Sequence, residues 1–256
     1  MNRKSRLPST PTSDEAAAPG RFLDGAAIRH LPFFSGFDAK VCDDIARAAR
    51  VKRVPTGETI FAQGAVPDSV FMVLSGRFKA VQVTPEGGEV VVRLPSAGDL
   101  IGHVSVFSDT PYPATPVAVT ESLILTWTPA AFTDLMLNHP QLSLAVIRNM
   151  GTYIQEAHAR LREVSTEKVE RRIAHAILRL AEQAGTPVKG GVEISFAITR
   201  QDIGLMTGAT LHTVSRTLSA WERQGIIDGG RQHLVLRDAK ALRRISEAST
   251  APSRSR

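Results

Sequence analysis

The stretch TLHTVSRTLSAWERQG, residues 210–225, sets an imidazole, hydroxyls and a guanidinium along one side of an amphipathic helical pattern. Val214, Leu218 and Trp221 recur at i, i+4 and i+7, the spacing of a buried stripe, which leaves Leu211, His212, Ser215, Arg216 and Ser219 outward. His212, Thr213, Ser215 and Arg216 can bond base edges and phosphate oxygens. An arginine fork pairs with guanine, and this is the commonest specific contact to a base. A helix that served only to pack would carry ordinary surface residues such as Glu and Lys there. The chemistry at hand is therefore recognition of a nucleic acid rather than catalysis.

The elements that must hold this helix are legible around it. Thr199 is an N-cap candidate with Asp202 three residues on, resembling a capping box, and the helix it opens spans about 200–206 before Thr207-Gly208. Thr210 caps the next helix. Two short helices joined by a glycine turn make a helix-turn-helix, in which Gly204 is small where the helices cross and Val214 faces the core. Before them VEISFAI, 192–198, alternates like a strand. After them GIIDGGRQHLVLRD reads as a hairpin across Gly229-Gly230, a wing with Arg231 at its tip. Candidate DNA contacts are Arg200, Gln201, Thr210, Leu211, His212, Thr213, Ser215, Arg216 and Arg231.

Charge follows the same division. Residues 1–165 hold 16 basic and 16 acidic groups, whereas residues 166–256 hold 15 basic and 9 acidic, so the whole net charge of +6 sits in the C-terminal third. Lys and Arg that neutralise phosphates release condensed counterions, which makes such a block the footprint of a polyanion-binding module.

Upstream, residues 1–20 are rich in Pro, Ser, Thr and Ala and bury too little to offset ordering, so a disordered tail is expected over 1–25. DAKVCDDIARAAR, 38–50, reads as a short packing helix capped by Asp38. Between about 51 and 128 the runs VKRV, ETIF, SVFMVLSG, FKAVQVT, EVVVRL and LILTWT are punctuated by glycines at turn spacing, which predicts a β-roll or jelly roll over 26–139. A long helix follows over 140–165. Ile147, Met150, Ile154, Ala157, Leu161 and Val164 fall at spacings of 3 and 4, a narrow seam suited to one partner helix and so to a homodimer. Packing of that helix against the roll is the alternative. Ser165 and Thr166 then interrupt, and the winged module is assigned to 166–248, with a short tail over 249–256. The fold class is α+β.

Other functions find no residues to carry them. The single cysteine, Cys42, leaves neither a disulfide framework nor a four-thiolate cluster. No apolar run reaches the roughly 18 residues of a membrane span and no hydrophobic signal core opens the chain, so a cytoplasmic protein is expected. The roll shows no paired carboxylates, metal-ligand cluster or nucleophile with a base, so an enzyme is not expected.

Taken together, PTGETIFAQGAVPDSVFMVLSG, AGDLIGHVSVFSDTPYPATPVAV and TRQDIGLMTGATLHTVSRTLSAWERQGII resemble the CRP/FNR family of bacterial transcription regulators over roughly residues 30–245. The recognition helix is most similar to the nitric-oxide-responsive and denitrification branch (NnrR/DNR-type). The resemblance implies a cyclic-nucleotide-binding-like roll, a dimerising helix, a palindromic double-stranded operator and contact with RNA polymerase. It also implies an effector pocket, aligned here with Gly102, His103, Val104, Ser105, Tyr112, Ala114, Thr115 and His158.

Two departures bear on the effector. Cyclic-AMP-binding members carry a glutamate and an arginine where this chain has His103 and Tyr112, so cyclic AMP is not the expected ligand. An iron–sulfur cluster lacks its cysteines. For the denitrification branch the resemblance implies haem b as a gas sensor, with His103 and His158 as candidate axial ligands; packing or surface histidines are the alternative. His212 stands where many members carry a glutamate that accepts from cytosine, so its base preference should differ.

Overall fold

Alternate side chains of a strand point to opposite faces, so a strand with no polar alternation must be covered on both sides. That is the situation of Val70–Ser75 and Ser122–Trp127 in the first half of the chain. In the computed structural model, which describes residues 23–247 apart from 195, 197, 231 and 232, the chain forms two units. Among the described residues the first takes in the chain up to Phe78 together with Pro95–Gly151; the second takes in Lys79–Leu94 and the chain from Thr152.

The first unit opens with α1 (Ala26–Arg29), a 3-10 turn at Pro32–Phe34 and α2 (Ala39–Arg47), followed by β1 (Arg50–Val54) and β2 (Val70–Ser75). After β3 (Phe78–Val83) and β4 (Glu89–Arg93), whose residues from Lys79 onward belong to the second unit, come β5 (Leu100–Ile101), α3 (His103–Ser108), β6 (Thr115–Ala118), β7 (Ser122–Trp127) and α4 (Pro129–Asn138). An antiparallel sheet runs β1-β7-β2-β5, with Leu125 opposite both Val51 and Met72, and Phe71 opposite Ile101. The sheet is a wall between two cores. Met72, Leu100, Leu125 and Trp127 face Ile28, Phe34, Ile45 and Phe132 on the helical side, while their chain neighbours Phe71, Ile101 and Ile124 face Val54, Phe78 and Tyr112 on the other. Trp127 also donates its indole N–H to the Ile45 carbonyl at 3.1 Å, so the buried ring leaves no polar atom unpaired.

Three expectations change in this unit. Residues 23–25 are not tail: Leu23 packs on the helical core, and the Gly25 amide donates to Asp43 at 3.0 Å in a space where a Cβ would meet that carboxylate at 2.3 Å. Asp38 occupies the N-cap position of α2 but its side chain makes no cap bond. The run ETIF is not a regular strand; it touches β6 through the isolated Thr59–Val117 bridge and the flanking Gly57 and Ile60 amide bonds. The rest of the expected tail, residues 1–22, and the C-terminal stretch from 248 lie outside the described residues.

Helix α5 (Pro140–Thr166) contains both the expected long helix and the division between units, which falls between Gly151 and Thr152 rather than at 139 or 165. Leu142 and Val146 are buried in the helical core and Met150 packs against it. The other seam residues are not covered: Ile147, Ile154, Leu161 and Val164 are each more than half exposed, and Ala157 is exposed. The break to the next helix comes at Glu167-Lys168, two residues later than Ser165-Thr166, because Thr166 still donates its hydroxyl to the Arg162 carbonyl within the helix.

In the second unit β3 and β4 form a hairpin, with Gly87 at positive φ in its turn. Then come α6 (Val169–Ala184), β8 (Gly185–Val188), β9 (Gly191–Ile194), α7 (Arg200–Thr207), α8 (Leu211–Arg223), β10 (Ile227–Gly230), β11 (His233–Leu236) and α9 (Ala239–Glu247). The antiparallel sheet β10-β11-β9-β8 and the helices enclose Ile173, Ile177, Leu180, Ile203, Leu234, Leu236 and Leu242. This is the winged helix. Its hairpin differs from expectation in one detail. Gly229 and Gly230 are strand residues, with Gly230 opposite His233, and the predicted tip Arg231 lies outside the described residues.

Candidate nucleic-acid interface

A helix can offer polar groups to a partner only if its other face is fixed. In α8 that anchoring comes from Val214, Leu218 and Trp221, all essentially inaccessible, and a Trp or Phe removed from such a place typically costs about 3–5 kcal/mol. Thr210 starts the helix, its side chain accepting from the Thr213 amide at 3.2 Å, while the two hydroxyls share a 3.0 Å bond. Gly208 makes the turn at φ 63°, and Gly204 lets the helices cross closely because a Cβ there would lie 2.7 Å from the Ala209 carbonyl.

The predicted contacts then separate by what they touch. Leu211, His212 and Arg216 are exposed at the start of α8, and Gln201 is exposed at the start of α7. Ser215 is half-buried on the same helix. Thr210 and Thr213 are engaged with each other in the cap. Arg200 is turned onto α8: it donates to Glu222 at 2.9 Å, to Ser219 Oγ at 3.3 Å and to the Ser215 carbonyl at 3.4 Å. Its guanidinium is thus occupied within the protein.

Helix α7 has a second anchor. The capping box is complete: the Thr199 amide donates to Asp202 at 3.0 Å, and the Asp202 amide donates to Thr199 Oγ1 at 3.0 Å. The same carboxylate accepts from Lys79 of the β3–β4 hairpin at 2.7 Å. Burial pushes the Asp202 pKa up, but the bonds from Lys79 and Thr199 outweigh it and hold the carboxyl below the ordinary range. Sequence spacing shows the box and not the lysine, which lies 123 residues away.

The predicted effector residues are divided between the two units. Gly102, His103, Val104, Ser105, Tyr112, Ala114 and Thr115 are in the first unit, and His158 is in the second, exposed on α5. Tyr112 is fully buried and stacks on Phe61 with ring centroids 3.6 Å apart. Its hydroxyl donates to the Ser69 carbonyl at 2.7 Å and accepts from the Ser69 amide at 3.2 Å. Burial raises its pKa, so the phenol keeps the proton it donates. Gly102, at φ 81°, admits that ring, since a Cβ would lie 2.9 Å from it. Thr115 Oγ1 accepts from the Gln63 amide at 2.9 Å and Ala114 is buried, while Val104 is exposed on α3. His103 and Ser105, on the same short helix, are buried. Phe61, which sequence reasoning missed, is the second half of this aromatic plug.

Residues 51–139 match the cyclic nucleotide-binding domain, and residues 171–245 match the Crp-like helix-turn-helix domain. The chain belongs to the CRP/FNR family of transcription regulators. A CRP-like cAMP-activated global transcriptional regulator of Mycobacterium tuberculosis is 23% identical over 211 residues, covering 82% of this chain and 94% of the relative. Electron transport regulator A of Shewanella oneidensis is 28% identical over 200 residues, covering 78% and 79%. The structure of FixK2 from Bradyrhizobium japonicum shares the fold, with a TM-score of 0.68 over 78% of this chain and 98% of that one, at 20% identity.

Within this CRP/FNR regulator the Asp202 bonds give a pH signature. The carboxylate's folded pKa is depressed, so its contribution is present above the unfolded value and is lost as pH falls through the folded one. Asp202→Asn should lower stability to urea at pH 7 by about 1–2 kcal/mol, and the deficit should shrink below about pH 4. An equal deficit at both pH values would show that the ionised bonds do not stabilise the fold.

Proposed function

We propose that the chain is a homodimeric, sequence-specific DNA-binding transcription regulator. The observation that carries this reading is the outward start of α8, where Leu211, His212 and Arg216 stand free on a helix whose opposite face is locked by Val214, Leu218 and Trp221. A short helix so presented enters a major groove and reads base edges with its first residues. Its setting in the basic third of the chain adds the phosphate attraction. The protein acts in the cytoplasm with RNA polymerase as its further partner.

The dimer is supported by the uncovered apolar stripe of Ile147, Ile154, Leu161 and Val164 along α5. A second copy of the same helix would cover it knob against hole. Two such copies bind a palindrome whose half-sites lie about one helical turn apart.

For the signal, the roll interior weighs against a cyclic nucleotide. Tyr112, aligned with the arginine of cyclic-AMP-binding members, is stacked on Phe61, and a phenol cannot replace that charge. Relatives named Electron transport regulator A and Fumarate and nitrate reduction regulatory protein support a signal from respiratory metabolism, which here is read as nitric oxide or low oxygen. Haem b is the sensor group of this reading and would supply the gas-binding iron. Of the two histidines that would hold it, His158 is exposed on α5 and His103 is buried on α3.

Four measurements test these statements. Arg216→Ala should abolish the specific footprint with an unchanged melting curve, and a binding-site selection should return a half-site whose preference at the His212 position departs from the usual family box; an intact footprint would remove Arg216 from recognition. Leu161→Glu should shift the protein from dimer to monomer in sedimentation, and a persisting dimer would place the interface elsewhere. Added haem should give a saturable Soret band that moves with nitric oxide and is lost in His158→Ala or His103→Ala; no specific band would remove haem and leave the DNA reading intact.

A further inference from the structure

Arg200 is the first residue of α7, where a cation can reach a DNA phosphate, yet its guanidinium lies along α8 instead. The three groups it meets, the Ser215 carbonyl, Ser219 Oγ and Glu222 Oε1, are spaced i, i+4 and i+7, so the fork runs down one stripe beside the buried Val214–Leu218–Trp221 row. Its ion pair with Glu222 is about two-thirds shielded on both sides. On its other flank Glu222 lies against the wing: a Cβ at Gly229 would lie 2.5 Å from Glu222 Oε1, so a side chain there would push the carboxylate from its place. One carboxylate thus joins α7, α8 and the wing strand.

We propose that the Arg200–Glu222 pair positions the recognition helix and the wing, and that Arg200 serves DNA binding through this geometry and not as a phosphate ligand. The inference rests on the DNA-binding reading above. Drawing Arg200 away to a phosphate would leave Glu222 half-buried, without its cation and close to a polyanion, which opposes the exchange twice. Kept in place, the fork fixes the crossing from which His212 and Arg216 project. Glu222 and Arg200 are positioning residues, and loss of either should misdirect the contacts that specify sequence while leaving the general attraction to phosphates unchanged.

The experiment uses the full chain, a duplex selected by the wild type from a random pool, and an unrelated duplex of equal length, with affinities measured across a salt series. Arg200→Ala and Glu222→Gln should each lower the ratio of specific to non-specific affinity by about tenfold, the lower end for a hydrogen bond to a charged group. The slope of log affinity against log salt should stay at the wild-type value, and the double variant should be no worse than either single one. Arg200→Lys, which keeps the charge and loses the fork, should behave as Arg200→Ala does. If Arg200→Ala fails to fold, Glu222→Gln and Arg200→Lys decide. A phosphate role would instead reduce the slope by about one in Arg200→Ala, weaken both duplexes together, be rescued by Arg200→Lys and leave Glu222→Gln as tight as wild type or tighter, which overturns the proposal. A wild type that selects no sequence overturns the DNA-binding reading itself, before any variant is made.

Discussion

The burial of Val214, Leu218 and Trp221 is the constraint on which the rest of the C-terminal unit depends. A 13-residue helix is too short to persist by propensity alone, so α8 exists because its apolar stripe is taken out of water by α7, the wing and the helices behind it. Once that stripe is placed, helical geometry leaves no freedom about which residues look outward. Leu211, His212 and Arg216 are displayed as a consequence of what is hidden. The close crossing at Gly204 and the left-handed turn at Gly208 then set the angle of display, and the cap at Thr210 sets where the helix begins.

Polar anchors complete what apolar burial starts. Hydrophobic packing is non-directional, so a stripe of three large residues tolerates small rotations that would carry a base-reading side chain off its target. Hydrogen-bonded ion pairs are directional. Asp202 and Arg200 lie two residues apart in the first turn of α7, and each ties that turn to a different element, Asp202 to Lys79 and Arg200 to Glu222. Two of the protein's partly buried ion pairs thus stand at the first turn of α7.

The first unit applies the same physics to a different end. Its sheet is covered on both faces, and on the face away from the helices an aromatic stack of Phe61 and Tyr112 fills the interior. A family member that binds an anion there needs a guanidinium and space; this chain has a phenol tied to the Ser69 backbone. His103 and Ser105 of the short helix α3 are buried in the same unit.

Local periodicity made much of this legible in advance. The glycine-punctuated strands, the seam of α5, the capping box at Thr199 and the buried row of α8 are all patterns within a few residues, where strand and helix repeats dictate the face a side chain takes. What the sequence by itself determined is which residues α8 hides and which it shows. Only the tertiary structure decided that Met150 turns to the core while the rest of the seam stays bare, that Tyr112 plugs the roll against Phe61, and that Arg200 belongs to Glu222. The reason is distance along the chain. Arg200 and Glu222 are 22 residues apart and Lys79 and Asp202 are 123 apart, and no repeat of 2 or 3.6 residues relates groups that only folding brings within 3 Å.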